Sequence, residues 1–224
     1  MVAIVLALGG PVQGAEPDSS TVHKYTADVA RLAAEPAPAP GGILMVGSSI
    51  FRKWTNCVQA LAPLPVRNRA FGGSRTEDQL YFFDKIVPSS QAALVVWYCG
   101  SNDLNGKKSP EAILQNTKEW LSRTRTALPQ ARVLLVSVIR APQKRTAGLL
   151  PKVDEVNQEL AKLAGSMVRY VDVNPALETA DGAPAAGCYV SDNLHLTAEA
   201  YRRMTSILRP MIETEWKAAR TSQP

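Results

Sequence analysis

Two histidines and three cysteines are all that the 224 residues offer of the softer metal-binding side chains. They are His23, His195, Cys57, Cys99 and Cys188, and no two cysteines stand in a C-x-x-C spacing. That scarcity speaks against a zinc site built from His and Cys. An odd cysteine count leaves at least one thiol outside any intramolecular bridge. A Cys57 to Cys188 pairing stays open, beside the simpler reading of three small buried side chains. Aromatic residues make up only 6% of the chain and do not interleave with basic ones, as a base-stacking nucleic-acid surface would require. Charge of either sign is sparse: 25 Lys and Arg against 20 Asp and Glu leave +5, spread along the chain, which is weak ground for a polyanionic partner. No run of about 20 apolar residues occurs, so the mature chain is expected to have no stable membrane insertion.

What is present suits a folded globular domain. An apolar content of 46% argues against disorder. At roughly 100–200 residues per domain the length implies one domain, large enough to bury about 70% of its unfolded surface without a crosslink. Residues 1–15 carry no charge and read as a signal peptide, with an apolar run from Val2 to Leu8 and small residues Gly14 and Ala15 before Glu16. No Lys or Arg precedes Lys24, so the basic start of such a signal is missing, and a plain apolar tail is the alternative. The expectation is a secreted or periplasmic protein. Residues 16–41 read as an N-terminal helix, Thr21 to Ala34, and a proline-rich lead-in from Glu35 to Gly42 that cannot continue it. That division leaves 42–218 as the main domain, with the first 40 residues largely outside its core, and 219–224 as a tail.

Beyond the prolines, short apolar runs alternate with amphipathic stretches. Ile43 to Val46, Val66 with its neighbours, Ala92 to Tyr98, Val133 to Val138 and Val168 to Val171 read as strands. Ser109-Pro110-Glu111 reads as the start of a helix presenting Ile113, Thr117, Trp120, Leu121, Thr124 and Leu128 on one face. Val153, Val156, Leu160 and Leu163 mark another, closed by Gly165. Thr197 caps a last one, with Ala200, Met204, Ile207, Leu208 and Met211 facing inward. Strands alternating with helices imply an α/β fold around a parallel sheet, with chemistry expected in loops at the carboxyl ends of the strands.

Four clusters fall at such ends. Gly47-Ser48-Ser49-Ile50 follows the first strand, and a serine at a strand-to-helix turn can present its hydroxyl to substrate or simply cap the helix. Asn68-Arg69-Ala70-Phe71-Gly72-Gly73-Ser74 follows the second, where paired glycines allow close backbone approach or merely a turn. Gly100-Ser101-Asn102-Asp103 follows the third, and the Asn102 amide can donate to developing negative charge. Asp192-Asn193-Leu194-His195 precedes the last helix, with a spacing that lets a carboxylate hold Nδ1 of the imidazole and free Nε2 to act as base.

Taken together and in this order, the four clusters resemble the SGNH (GDSL-like) hydrolase superfamily over about residues 42–212. The stretches VGSSIFRKW, VRNRAFGGS, WYCGSND and SDNLHLTAEAY are similar to the branch containing the platelet-activating-factor acetylhydrolase catalytic subunit. The resemblance implies a three-layer α/β/α sandwich with a five-stranded parallel sheet, flavodoxin-like in topology. It further implies Ser49 as nucleophile, His195 as general base and Asp192 as its orienting acid, with an oxyanion hole from Ser49, Gly73 and Asn102. No metal or other cofactor is implied. Two departures from the family pattern stand out: Ser48 replaces the acid of G-D-S, which raises the question of which serine attacks, and Ala70 replaces a frequent glycine.

The function expected on this basis is hydrolysis of short-chain acyl esters, carbohydrate acetyl groups among them, with a small-molecule or glycan ester as partner and no nucleic acid. A catalytically weak glycan-binding or scaffold protein on the same fold is the alternative. Arg52 and Arg145 are candidate contacts for a substrate carboxylate or sugar. Trp54 and Trp97 read as core or pocket wall, and Asp103 and Asp154 as turn and helix-surface residues.

Overall fold

The computed structural model describes residues 19–36 and 39–221, with side chains from Lys24 onward. The expected signal segment and His23 therefore lie outside what can be described. Among the described residues there are five strands: β1 Ile43–Gly47, β2 Val66–Asn68, β3 Leu94–Tyr98, β4 Arg132–Val136 and β5 Val168–Val171. They form one parallel sheet in the order β2-β1-β3-β4-β5, the α/β sandwich expected from the sequence. In chain order the helices are α1 Ser19–Ala34, α2 Ser49–Arg52, α3 Cys57–Leu61, α4 Thr76–Tyr81 and α5 Phe83–Ile86, followed by α6 Ser101–Asn105, α7 Pro110–Ala127, α8 Pro142–Thr146, α9 Leu150–Lys162 and α10 Ala198–Thr221.

The continuous apolar runs of the strands follow from burial on both faces. Ile43, Met45, Leu94, Val96, Tyr98, Leu134 and Val136 point to one side, into a core shared with α2, α3 and α10. Leu44, Val46, Val95, Trp97, Val133 and Leu135 alternate to the other side and meet α1, α5, α7 and α9. Trp54 and Trp97, each 1% exposed, are core residues as read from the sequence. Cys57, Cys99 and Cys188 are all buried and free, so the Cys57 to Cys188 bridge left open by the sequence is not formed.

Four expectations need correction. Helix α1 does not lie outside the core: Tyr25, Val29 and Leu32 are at most 3% exposed and belong to the same core as Leu44, Val46 and Phe71. Strand β4 stops at Val136, because the Asn157 amide takes over the bonding of Val138, accepting from its N–H at 2.8 Å and donating to its carbonyl at 2.9 Å. Helix α10 runs through Pro210 to Thr221 with Ala219 1% exposed, so the expected tail begins inside a packed helix. Finally, Asp103 is 1% exposed rather than a turn residue, while Asp154 does lie at the surface and pairs with Arg140.

Candidate active site

The chain leaves β1 in one direction to build β2 and in the other to build β3, so a crevice opens between the carboxyl ends of β1 and β3. Gly47 ends β1 opposite Tyr98, with φ 141°. A Cβ on Gly47 would sit 1.9 Å from the Tyr98 carbonyl oxygen. The close approach lets the Ser48 N–H donate to that oxygen at 3.0 Å, which turns the chain sharply into α2. Ser48 is then 1% exposed, and its hydroxyl has no hydrogen-bond partner. Ser49 is the serine that faces outward, its Oγ 2.9 Å from His195 Nε2. The Tyr201 hydroxyl, reaching across from α10, donates to the Ile50 carbonyl at 2.7 Å and pins α2 in place.

His195 and Asp192 are held by a tight turn before α10. Asp192 Oδ2 lies 2.6 Å from His195 Nδ1, and its Oδ1 accepts from the Leu194 and His195 backbone N–H groups, both at 2.9 Å. The bond from the His195 ring, then the backbone bonds, hold the Asp192 carboxyl well below the usual carboxylate range. An ionised Asp192 fixes the proton on Nδ1 and leaves Nε2 as an acceptor toward Ser49, a tautomer assigned from these partners. Asn193 takes the left-handed conformation (φ 58°) that closes the turn, and its carbonyl accepts from the Gln143 N–H at 2.9 Å.

The glycine pair is bolted to the same corner. Ser49 Cβ is 3.9 Å from where a Cβ on Gly72 would project. Gly73 has φ 81°, and a Cβ there would come within 3.2 Å of the Tyr25 hydroxyl of α1. Ala70 is not among the residues with positive φ, which is why alanine is accepted there. The Asn102 amide donates to the Ser74 carbonyl at 3.0 Å and so ties α6 to the glycine loop. Gln79 completes the frame, donating to the Gly47 carbonyl at 3.0 Å and to Ser74 Oγ at 2.8 Å.

Beneath this frame lie buried charges. Asp103 accepts from the Thr76 N–H at 3.0 Å and from its hydroxyl at 2.5 Å, and burial pushes its carboxyl up. Asp78 caps α4 by accepting from the Arg75 N–H at 2.8 Å, and burial raises it to about 6. Lys144 of α8 is 0% exposed and donates to the Ser101 carbonyl at 2.7 Å and to Asn105 Oδ1 at 2.5 Å, anchoring both ends of α6. Desolvation lowers Lys144 from 10.5 to about 8, against an opposing pull from Asp103. Between those two values the unfolded chain holds a proton that the folded chain has released, so this lysine makes stability rise with pH over that window. Urea midpoints of the natural protein and Lys144→Met, measured from about pH 8 to about pH 10, are expected to show the difference moving in favour of the natural protein as pH rises. A difference that is flat or moves the other way removes Lys144 as the source.

Ser49, Asp192 and His195 thus meet in one hydrogen-bonded chain, with Gly73 in the glycine loop and Asn102 on α6 alongside. Arg52 is also at this corner, its Cγ 3.8 Å from the Gly72 Cβ position. Arg145 is elsewhere occupied: its guanidinium donates to the Gly182 carbonyl at 2.6 Å. Sequence reasoning missed Gln79, Tyr201, Lys144 and Tyr25, all of which act by long-range contact. Only the burial of polar residues in otherwise apolar faces could have hinted at them.

Comparison with known proteins agrees with this layout. The family model described as GDSL-like Lipase/Acylhydrolase family matches residues 18–203. No curated protein matches the chain. A Streptococcus pneumonia protein provisionally named for platelet activating factor has a TM-score of 0.74 at 19% identity, over 85% of this chain and 94% of its own. A GDSL-like lipase from Bacteroides thetaiotaomicron gives 0.71 at 21% identity, over 87% and 98%. A carbohydrate esterase family 3 protein from Talaromyces cellulolyticus gives 0.61 at 15%, over 79% and 99%. These likenesses extend the fold to distant sequences, while the family match takes in α1, the whole sheet and the first turn of α10. With most of its length inside that match, the chain belongs to the GDSL-like lipase/acylhydrolase family and is a carboxylic ester hydrolase.

Proposed function

We propose that the protein is a serine esterase acting on short acyl esters, acetyl groups on carbohydrate among them, with Ser49, His195 and Asp192 as its catalytic triad. The observation that carries this reading is the chain of contacts from Ser49 Oγ to His195 Nε2 at 2.9 Å and from His195 Nδ1 to Asp192 at 2.6 Å. His195 takes the Ser49 proton as the hydroxyl attacks the acyl carbon, and Asp192 stabilises the imidazolium that forms. The backbone N–H groups of Ser49 and Gly73 and the Asn102 amide receive the oxyanion. One amide hydrogen of Asn102 is engaged by the Ser74 carbonyl, and Nδ2 has a second to give. His195 then hands its proton to the leaving alcohol, and water repeats the cycle on the acyl-enzyme.

The preference for short acyl groups rests on the resemblance to the branch containing the platelet-activating-factor acetylhydrolase catalytic subunit. The Talaromyces cellulolyticus relative, a carbohydrate esterase, is consistent with a sugar as the alcohol portion. Hydrolysis of p-nitrophenyl esters from acetate to dodecanoate, alongside acetylated sugars, tests the reading. Fastest turnover is expected on acetate, and Asn102→Ala is expected to lose about 10²–10³-fold in kcat with its unfolding transition retained. No hydrolysis above background at any chain length would leave the glycan-binding alternative in its place.

A further inference from the structure

We propose that Arg52 and Arg67 form an anion-binding subsite beside Ser49, selecting ester substrates that carry a carboxylate or phosphate group. The inference rests on the esterase reading and adds the charge of the substrate to it. The cleft of about 250 Å³ between α1, α2 and the sheet edge is lined by Arg31, Glu35, Arg52, Trp54, Arg67 and Asn68, among others. Three of its other polar side chains are already matched. Arg31 pairs with Glu35 at 2.7 Å, and the Asn68 amide donates to the Phe51 carbonyl at 2.7 Å. Arg52 and Arg67, by contrast, have neither a carboxylate nor a hydrogen-bond partner for their guanidinium groups among the described residues. Two uncompensated cations therefore share one hollow.

Position makes this a subsite rather than a stray basic patch. Arg52 stands one helical turn after Ser49 on α2, and its Cγ and the Ser49 Cβ lie 3.8 and 3.9 Å from the same point at Gly72. Lys24 adds a third cation on the far side of the glycine pair, its Nζ 3.9 Å from the Cβ position of Gly73. Glu35, the carboxylate that lines the hollow, is paired with Arg31, and Asp192 is committed to His195. Arg52 thus joins the hollow it shares with Arg67 to the corner that holds the reacting serine, and the planar guanidinium forks suit carboxylate and phosphate oxygens. The buried Trp54 and Cys57 beneath the cleft lower the local dielectric and strengthen that attraction relative to open solvent.

The test compares three acetate esters of similar phenols: 3-acetoxybenzoate, 3-acetoxyphenyl phosphate and the neutral methyl 3-acetoxybenzoate. The natural protein is expected to favour one or both charged esters over the neutral one by about tenfold in kcat/KM, the worth of a partly exposed charge-assisted hydrogen bond. The ratio between the first two separates carboxylate from phosphate as the preferred group. In the double variant R52Q/R67Q the charged-to-neutral ratio should fall close to one, and in R52K/R67K it should recover in part. High salt should compress the ratio in the natural protein. A ratio near one in the natural protein, or a ratio untouched by R52Q/R67Q, overturns the subsite. Should p-nitrophenyl acetate not be hydrolysed at all, the esterase reading falls by itself. Calorimetric binding of 3-hydroxybenzoate against its methyl ester, in natural and R52Q/R67Q protein, then decides the subsite by the same ratio.

Discussion

Ser49→Ala is expected to lower kcat/KM for p-nitrophenyl acetate by about 10⁴-fold or more while the protein stays folded. The hydroxyl has one hydrogen-bond partner in the structure, His195 Nε2, so its loss costs about 1 kcal/mol of stability at most and removes the attacking atom entirely. Adding His195→Ala to Ser49→Ala should cost little further rate, because a nucleophile and its base act as one unit. The neighbouring serine gives the contrast. Ser48 is 1% exposed with its Oγ unpartnered, so Ser48→Ala should stay within a few-fold of natural activity. A reversal, with Ser48→Ala inactive and Ser49→Ala active, would move the nucleophile by one residue and undo the mechanism.

Gly47→Ala is expected to have the largest effect on stability, at least about 4 kcal/mol, or to yield no folded protein. The added Cβ would lie 1.9 Å from the Tyr98 carbonyl oxygen, 2.7 Å from its carbon and 3.1 Å from its nitrogen. All three are backbone atoms of a central strand, so no side chain can swing away. Relief requires separating β1 from β3 where the Ser48 N–H bonds to Tyr98, and φ 141° is itself unfavourable for alanine. Gly165→Ala is the matched control, since nothing lies within 4 Å of its Cβ position and its φ is not in the positive range. Urea unfolding of both variants should show Gly165→Ala close to the natural midpoint. A Gly47→Ala protein of near-natural stability would mean that the two strand ends are not packed as described.

These two glycines mark how far the sequence could be read. Strands, long helices and their order were legible because apolar periodicity is local, and the Ser109 cap was legible because it acts within one turn, with the Ala112 N–H on Ser109 Oγ at 3.3 Å. The clusters containing Ser49, Gly73 and Asn102 were legible because each follows the end of a strand, and the one containing His195 because it precedes a long helix. The helices α2 to α6 escaped, being four to six residues long and too short to show a period. Gln79, Tyr201 and Lys144 escaped for another reason. Their partners, at Gly47, Ile50 and Ser101, are brought near only by the completed sheet. The resemblance already pointed to Ser49 over Ser48, but the physical reason, the Gly47 contact with Tyr98 that turns Ser48 inward, is a fact about β3 and absent from the loop that contains both serines.

Helix α1 carries a consequence for how this enzyme can be shortened. It lies over Leu44, Val46, Phe71, Phe82, Phe83 and Ile86, and its Tyr25 backs the glycine loop. The buried Arg69 also reaches the Glu35 carbonyl at 3.2 Å, fastening the chain where the helix ends. A version trimmed to begin at the first strand would keep Ser49, Asp192 and His195 and still present three phenylalanines to water. Its failure would then show first as aggregation and poor solubility, with the chemistry of Ser49 never reached.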